Sequence, residues 1–424
     1  MSIAVDLQTR AMAYYLQYHL PTTPDVSSAM GGLCASLSAW KHSGKTSPLV
    51  DLALSCLALA VFARTQNHPP AIREGSFRYV QLLTAVRARM TCVRVRQKTE
   101  TCIDDVLLAI ALMRRYEGLS SLPEDPSLKR SFKAMRSAPH DDGAMAVLKA
   151  WYYSSTHSAA TDVIKQSRRG VITSLLLREL PLPQWMHDGK LYGESGIDIK
   201  LDCVLVRIVG LRCQVATLRH DAEQQDALVQ ESLRETEDLQ EALREWATHL
   251  PRTCLSLQYP LSKSSDRQQA SHSISMLDCY YASTEEAVLW SHYFSTHMFI
   301  ISTRLRLMRF SRLTSLTRSR YNDEEQLYEN NMKMAADGLA STIPFVLGRL
   351  EMQADESVRP NGKRSVEFRP YVAGLAVWQL TFASSLQGVE KRQQYWFRSM
   401  LATLGRVTGD GMLGDAKSDD WPVL

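Results

Sequence analysis

The sequence predicts an all-α protein, a large bundle of packed antiparallel helices. Apolar residues recur at three- and four-residue steps along almost the whole chain, which is the period of a helix with one buried face. Segments of strict two-residue alternation, which are typical of β-strands, are hard to find. The 424 residues, 45% of them hydrophobic and 22% charged, are enough to bury a large core. We therefore expect no significant sheet.

Polar, turn-rich stretches divide the helical pattern into segments. The helices are expected near residues 26–40, 48–67, 70–92, 100–117, 142–177, 199–217, 221–249, 281–313, 322–343, 370–387 and 389–409. One polar stretch, SKSSDRQQASHS at residues 262–273, has the composition of a linker. We expect one helical domain over residues 1–424, which can divide into sub-bundles 1–261 and 274–424 joined by this linker.

One of these helices is expected to stop at a proline. In AADGLASTIPFVLG, residues 335–348, Pro344 lacks an amide hydrogen and disfavours helical geometry at Ile343. The helix should therefore kink or end there, and the apolar residues that follow should keep the chain buried. At the start of the same helix, Asn322 and Glu325 have the spacing of a capping box.

Charge and composition disfavour several classes of protein. The net charge of +4 is far milder than in chains whose main contact is nucleic acid. The longest apolar run, residues 52–63, is shorter than the roughly 20 residues that cross a bilayer, so no membrane partner is expected. Asp6 and Arg10 interrupt any signal-peptide core at the N-terminus. The eight cysteines form no CxxC pair, which disfavours a zinc module.

Two pairs of aspartates are candidate metal ligands. Asp104 and Asp105 stand near the start of a predicted helix, and Asp141 and Asp142 stand just before another. Carboxylates bind Mg²⁺, but neither pair is accompanied by a second motif of matching spacing. We therefore interpret the first pair as favourable charges at a helix start and an aspartate of the second pair as a helix cap. A helical metal-dependent enzyme on an apolar or diphosphate substrate is the less favoured alternative.

Two further patterns have structural interpretations. The stretch AWKHSGKTS, residues 39–47, ends like a phosphate-binding loop, but the segment before it looks helical where such a loop needs a strand. We interpret it as a turn between helices. In RLRLMRFSRLTSLTRSR, residues 304–320, arginines are interleaved with Leu, Met and Phe. This pattern indicates a half-buried helix whose polar side is solvated.

Five stretches stand out by their Trp, Pro or Tyr-Glu landmarks. They are LLAIALMRRYEGL (107–119), LREWATHLPRTCLSLQY (243–259), LWSHYFSTHMFIISTRLRL (289–307), MAADGLASTIPFVLGRL (334–350) and VWQLTFASSLQGVEKRQQYWFRSMLATLGRVTGDGML (377–413). In kind and in order they resemble segments of the fungal-specific transcription factor domain, the large helical region of zinc binuclear cluster regulators. The likeness covers most of the chain.

The resemblance implies a helical regulatory domain that acts in transcription regulation in the nucleus. Regulators of this family bind DNA through six cysteines that hold two zinc ions, placed ahead of the helical domain. This sequence begins within the helical part and its cysteines cannot supply that cluster, which puts direct DNA binding in doubt. The resemblance implies no enzyme activity, no catalytic or metal-binding residue and no cofactor.

We therefore hypothesise that a small-molecule effector or a protein partner binds one arrangement of the helices better than another. Trp290, Tyr293 and Trp378 are candidate residues of an effector pocket, and core packing explains each of them as well. An alternative is a scaffold that does not bind DNA and pairs with a zinc cluster regulator through a helix such as 221–249.

Overall fold

The structure, a computed structural model, describes residues 6–20, 32–94, 100–120, 138–154, 159–218, 225–250, 255–256, 279–314, 320–348, 370–418 and 421–424. Its fold is all-α, as the sequence predicts. Within those ranges the only sheet is a two-residue antiparallel pair, Leu255–Ser256 with Cys279–Tyr280. The helices of the same ranges are α1 (Leu7–Tyr18), α2 (Gly32–His42), α3 (Pro48–Thr65), α4 (Pro69–Arg94), α5 (Glu100–Ser120), α6 (Ala138–Tyr152), α7 (Asp162–Arg178), α8 (Gly196–Ala216), α9 (Gln225–Ala247), α10 (Thr284–Thr314), α11 (Arg320–Val346), α12 (Pro370–Ala383), α13 (Lys391–Thr408) and α14 (Gly411–Gly414).

Helices α1 and α14 lie outside the predicted helices, and one predicted segment contains two helices. The sequence pattern does not predict α1. This helix begins after its N-cap, Asp6, whose carboxylate accepts the amide hydrogen of Thr9 at 3.0 Å. The segment predicted as one helix over 142–177 contains two helices, α6 and α7. Helix α7 has its own N-cap, because the Thr161 hydroxyl accepts the amide hydrogen of Ile164 at 3.2 Å.

Helix α11 ends close to Pro344, as predicted. Its last residue is Val346, two positions after the proline. Gly348 follows with a φ of 69°, a left-handed conformation that costs glycine little and other residues more. The proline and the glycine therefore stop this helix together.

The predicted capping box at the start of α11 is wrong. Because α11 begins at Arg320, Asn322 lies inside the first turn and does not occupy the N-cap position. Glu325, its predicted partner, instead accepts a hydrogen bond from Arg309 Nε at 2.8 Å, and Glu329 accepts one from Nη2 of the same arginine at 3.0 Å. Acidic residues of α11 therefore pair with α10.

The chain divides into two compact units. The first unit contains Met1–Cys213, Arg369–Gly374 and Ala402–Pro422. The second unit contains Gln214–Phe368, Leu375–Leu401 and Val423–Leu424. The candidate linker at 262–273 lies outside the described residues, so the proposed division at that stretch stays a prediction.

Helix α3 forms much of the core of the first unit. Thirteen of its 18 residues are buried, which is typical of a helix surrounded by protein on all sides. In the described part of the chain it is also the only helix long and apolar enough to span a membrane by length and composition. The helix as a whole passes this criterion although the apolar run 52–63 is shorter, and 72% of the span is buried inside the protein.

Helix α5 binds its neighbours through charged residues near its C-terminal end. Arg114 lies 3.0 Å from Asp141 of α6, and Arg115 lies 3.1 Å from Asp410, which is the N-cap of α14. Gly118 allows this approach, because a Cβ at that position would lie 3.3 Å from Asp410 Oδ2. The side chains of both aspartates are largely buried, so removing either arginine would leave a carboxylate without its counter-charge.

A fully buried arginine fixes the chain between α7 and α8. Arg168 donates hydrogen bonds to the carbonyl oxygen of Met186 and to both carboxylate oxygens of Asp202. The next residue, Arg169, binds Glu194. Bidentate pairs of this kind are directional as well as strong, so they hold the two short turns of 3₁₀-helix between α7 and α8 in place.

In the second unit, Arg304 joins α9, α10 and α11. This side chain is 5% exposed and donates hydrogen bonds to the Thr236 hydroxyl, to Glu237 and to Glu324. The interpretation of 304–320 as a helix with a solvated polar side is therefore wrong at Arg304, because its guanidinium group is buried among partners from two other helices.

Helices α10 and α11 approach closely where Gly338 meets Phe294. A Cβ at Gly338 would overlap the ring of Phe294, so only glycine fits this position without movement of the ring. The close approach places the aromatic N-terminal half of α10 directly against α11.

Gly338→Ala is expected to lower the free energy of unfolding by about 1 to 3 kcal/mol, because the added methyl group overfills a packed core. Gly210→Ala in α8 is the matched control: a Cβ there meets no atom within 4 Å. The control should be neutral or stabilising by up to about 1 kcal/mol, since alanine favours helix. Urea unfolding followed by circular dichroism measures both, and equal losses would contradict the proposed overlap.

Candidate functional site

Four aromatic side chains line one face of the N-terminal half of α10. We call Trp290, Tyr293, Phe294 and His297 the α10 aromatic stripe; their spacing of three and four residues places them on one side of the helix. The ring centre of Trp290 lies 5.5 Å from that of Tyr293 and 5.9 Å from that of Phe294. The rings of Tyr293 and His297 are 5.8 Å apart. Such pairs favour one another beyond the apolar area that they bury.

The stripe is uncharged at neutral pH. Burial raises the pKa of the Tyr293 hydroxyl, and the positive charge of Arg244 in α9 opposes part of that rise. Burial, together with the positive charge of Arg244, lowers the pKa of His297 to about 4. A neutral phenol and a neutral imidazole therefore stand beside two hydrocarbon-rich rings, a surface suited to an apolar ligand.

The three predicted pocket residues do not form a single ring group. Trp290 and Tyr293 are neighbours in the α10 aromatic stripe. Trp378 of α12 packs instead on Phe382, with 3.6 Å between ring centres. Phe382 in turn lies 4.2 Å from Phe299 of α10. Trp378 therefore belongs to a second aromatic group, between α10 and α12.

Two buried polar atoms in this region make no hydrogen bond to the described residues. They are the indole nitrogen of Trp290 and the amide oxygen of Gln379. Gln379 is 1% exposed, and its amide nitrogen lies 3.1 Å from Nε2 of His292. Buried polar groups are normally paired, so one indole donor and one amide acceptor are the groups with which this region can orient a ligand.

Asp104 and Asp105 lie in the second turn of α5, so their predicted role at a helix start is wrong. Asp104 accepts a hydrogen bond from the Thr161 hydroxyl at 2.6 Å and lies 3.7 Å from Nζ of Lys45. Asp105 is hydrogen-bonded to Ser47. Burial raises the pKa of both carboxyl groups, although their hydrogen bonds and the charge of Lys45 oppose this rise. The pair connects α5 to the start of α3 and the start of α7.

Helix α6 begins at Ala138, ahead of Asp141 and Asp142, so the prediction that one of these aspartates caps it is wrong. Both side chains instead form cross-links between helices. Asp141 accepts a hydrogen bond from the Ser174 hydroxyl of α7 at 2.7 Å and forms an ion pair with Arg114 of α5 at 3.0 Å. Asp142 pairs with Arg178 of α7 at 2.9 Å. Among the described residues, no group of three or more His, Cys, Asp and Glu side chains is placed to hold a metal ion.

The stretch 39–47 is a turn between two helices, as predicted. Helix α2 ends at His42, and α3 begins at Pro48 after Ser47, whose hydroxyl accepts the amide hydrogen of Val50. Lys45, which resembled the lysine of a phosphate-binding loop, lies over the ring of Trp40 at 5.2 Å as well as near Asp104.

Sequence reasoning missed a polar cluster that links α4, α5 and α6. The Tyr79 hydroxyl donates a hydrogen bond to Glu117 Oε1 at 2.7 Å, and Nε2 of His140 lies 2.9 Å from the same oxygen. Burial raises the pKa of Tyr79, so this phenol acts as a donor. The members stand 38 and 61 positions from Tyr79 along the chain, so no local spacing could have indicated the cluster.

Comparison with protein-family models, with curated proteins and with solved structures gives no match to this sequence. The resemblance to the fungal-specific transcription factor domain therefore depends on the five stretches that carry it. Their described residues lie mainly on α5 and on α9 to α14, with two in the strand Leu255–Ser256. Helix α10 contains the α10 aromatic stripe, and α11 contacts it at Gly338.

Stability is expected to fall as the pH decreases from about 6.5 to about 4. In that interval the unfolded chain protonates His297, whose ordinary pKa is 6.5, while the folded chain resists protonation because its pKa is about 4. The stabilising contribution is fully present above pH 6.5 and is lost toward pH 4. His297→Phe, which cannot titrate, should lose less stability than the wild type when urea unfolding is measured across this interval. His249→Phe, at an exposed histidine, is the control and should follow the wild type.

Asp105→Asn is expected to raise the free energy of unfolding near neutral pH. Because burial raises the pKa of Asp105, its charged form opposes folding above that pKa, and the neutral amide removes this cost. The gain should shrink as the pH is lowered toward the ordinary aspartate pKa of 3.8, because the wild-type carboxyl group then becomes protonated in the folded chain first. Asp142→Asn is the control: its side chain is 51% exposed, so the change should stay within about 1 kcal/mol. A loss of stability in Asp105→Asn at pH 7 would contradict the assignment.

Proposed function

We propose that this protein regulates transcription in the nucleus through a helical domain that binds a small-molecule effector or a protein partner. The observation that carries the proposal is the set of five stretches that resemble the fungal-specific transcription factor domain in kind and order. The two regions with the most distinctive landmarks are 289–307, which lies on α10, and 334–350, whose residues up to Val346 lie on α11; these two helices pack directly on each other. Contact with DNA would come from a zinc cluster that these helices do not supply.

The α10 aromatic stripe supports the effector-binding form of the proposal. Its rings are uncharged at neutral pH, and the Trp290 indole nitrogen offers one hydrogen-bond donor. An apolar molecule with one acceptor group matches this chemistry. Regulation would follow if the molecule favoured one packing of α10 against α11, because a ligand shifts an equilibrium only by its difference in affinity for the two states.

The exposed side of α9 supports the second candidate, a scaffold that pairs with a zinc cluster regulator. Glu231, Asp238, Glu241 and Glu245 are exposed along this helix, while Leu239 on its other side is buried. An acidic helical surface suits a partner with a basic surface, and such charge complementarity raises the rate of association. Co-purification with a full-length zinc cluster regulator would favour this candidate over a lone effector sensor.

The metal-dependent enzyme receives less support, because each of its four candidate aspartates binds protein groups. A Mg²⁺-dependent rise in melting temperature that Asp141→Asn abolished would favour it. We expect Mg²⁺ at millimolar concentration to leave the melting temperature unchanged. Asp141→Asn should instead lower it without Mg²⁺, since Arg114 would lose its counter-charge.

A tethering assay tests the regulatory proposal. The full chain is fused to a bacterial DNA-binding protein in yeast, with the matching operator placed ahead of a reporter gene. We expect the fusion to change reporter output several-fold relative to the DNA-binding protein alone, because the helical domain would bring its partner to the promoter. Output equal to that of the DNA-binding protein alone, at equal abundance in the nucleus, would contradict the proposal.

Variants of the stripe test the effector-binding form within the same assay. Trp290→Ala with Tyr293→Ala should reduce the reporter effect while abundance on an immunoblot is kept. Tyr395→Ala is the matched control, because that aromatic side chain on α13 is 64% exposed and lies outside the stripe. An unchanged reporter effect in the stripe variant would exclude the stripe as the effector site and favour the scaffold.

A further inference from the structure

Helix α4 presents an exposed face that is both apolar and basic. Its large apolar members are Ile72, Phe77, Val80 and Leu83, which are 55%, 61%, 63% and 39% exposed. Arg73 and Arg87 are exposed on the same side of the helix. We call these six residues the α4 face. Apolar side chains exposed as a group, rather than singly, mark interaction surfaces.

The opposite side of α4 explains why this face points outward. Ala71, Leu82 and Val86 are buried there, and Gly75 brings the helix close to α3. A Cβ at Gly75 would already be in contact with the Cβ of Leu59, at 3.4 Å. Since successive residues turn by about 100° around a helix, the α4 face is rotated away from this packed edge.

Helix α4 contains many more basic than acidic residues. The helix contains five arginines and a single acidic residue, Glu74, which binds Arg78 at 2.7 Å. Within the described ranges neither Arg73 nor Arg87 forms an ion pair. The α4 face therefore carries two positive charges that no acid of its own helix balances, and a negatively charged partner complements it.

The order of residues around the helix distinguishes between kinds of partner. At about 100° per residue, Arg87 and Arg73 fall between Ile72 and Leu83 on one side and Phe77 on the other, with Val80 between the two arginines. A helix that lies in a lipid surface keeps its cations on the polar side, so arginines in the middle of the apolar face would enter the hydrocarbon. Nucleic acid would use the charges and leave the apolar side chains without a partner.

A protein partner uses both properties. Arginine is enriched in protein interfaces and binds carboxylates with two parallel hydrogen bonds, while aromatic side chains such as Phe77 provide the apolar centre. We propose that the α4 face binds an acidic amphipathic helix of a partner protein. The inference names the partner class of the proposed regulator and rests on that proposal for its biological role.

The spacing of the arginines describes the partner helix. Arg73 and Arg87 are 14 positions apart, so at about 1.5 Å per residue their Cα atoms are separated by roughly 21 Å along α4. The partner needs at least four helical turns, with carboxylates near both ends of an apolar stripe. Helix α9 of a second copy does not fit, because its exposed side is acidic while its large apolar residues, such as Leu239 and Leu243, are buried.

Two labelled synthetic peptides test the proposal by fluorescence anisotropy with the purified full chain. Both carry the same leucine stripe over five helical turns, and their remaining positions are Glu in the acidic peptide and Lys in the basic peptide. We expect the acidic peptide to bind at least tenfold more tightly than the basic one, and its affinity to fall as salt is raised. Arg73→Glu with Arg87→Glu should reverse the preference.

Apolar variants complete the test. Phe77→Ser with Val80→Ser should weaken binding of the acidic peptide more than tenfold. Leu327→Ser on α11, where the side chain is 55% exposed, is the matched control and should leave binding unchanged. All variants replace exposed residues, and circular dichroism with thermal unfolding confirms that each remains folded. Equal affinity of the acidic peptide for the wild type and the charge-reversed variant would overturn the proposal.

Two other outcomes would also overturn it. Binding of the wild type to phosphatidylcholine–phosphatidylserine vesicles, but not to the acidic peptide, with loss in Phe77→Ser/Val80→Ser, would assign the face to a lipid surface. A wild-type dimer in sedimentation that this variant converts to a monomer would assign it to a second copy. The peptide assay contains no promoter, so its failure is distinguishable from failure of the tethering assay.

Discussion

The ion pairs of α5 hold the helices of the first unit in register. Burial of apolar side chains supplies most of the stabilisation, but it is non-directional and would tolerate several rotations of α5 against its neighbours. Arg114, Arg115 and Glu117 remove that freedom, because each binds a group on a different element: α6, the cap of α14, and α4. Truncating Arg114 or Arg115 leaves a largely buried carboxylate without its counter-charge, and truncating Glu117 leaves the Tyr79 hydroxyl without its acceptor, so the arrangement is costly to change.

In the second unit, Arg304 likewise joins helices through directional hydrogen bonds and ion pairs. Its guanidinium group reaches Thr236 and Glu237 on α9 and Glu324 on α11, so one side chain fixes the relative position of three helices. The α10 aromatic stripe lies on the same helix as Arg304, so the position of its rings depends on how Arg304 holds α10 against α9 and α11. Gly338 adds a steric condition, since only a missing side chain lets the two helices approach at Phe294. Charge and close packing together position the rings that the proposed function uses.

Periodicity predicts the fold class and most helices because it records which face of each helix is buried. Pro344 also predicts its helix end to within two residues, because its effect on the backbone is local. The roles of Asp104 and Asp141 were predicted wrongly for the opposite reason: local spacing suggests a cap, whereas their partners, Thr161, Ser174 and Arg114, come from other helices. Trp290 and Tyr293 share a helix face and could be grouped from sequence. Trp378 could not, since its ring partners depend on how α12 packs.

The pairing of Arg115 with Asp410 joins residues 295 positions apart. Residues 402–422 belong to the first unit, together with helices formed by the first half of the chain. During synthesis that unit therefore lacks this segment until the intervening residues of the second unit, 214–368 and 375–401, have also been made. Arg115 and Gly118, near the end of α5, gain their partner only when Asp410 has been added to the chain. A chain cut short before Asp410 would carry this defect in its N-terminal half, far from the site of truncation.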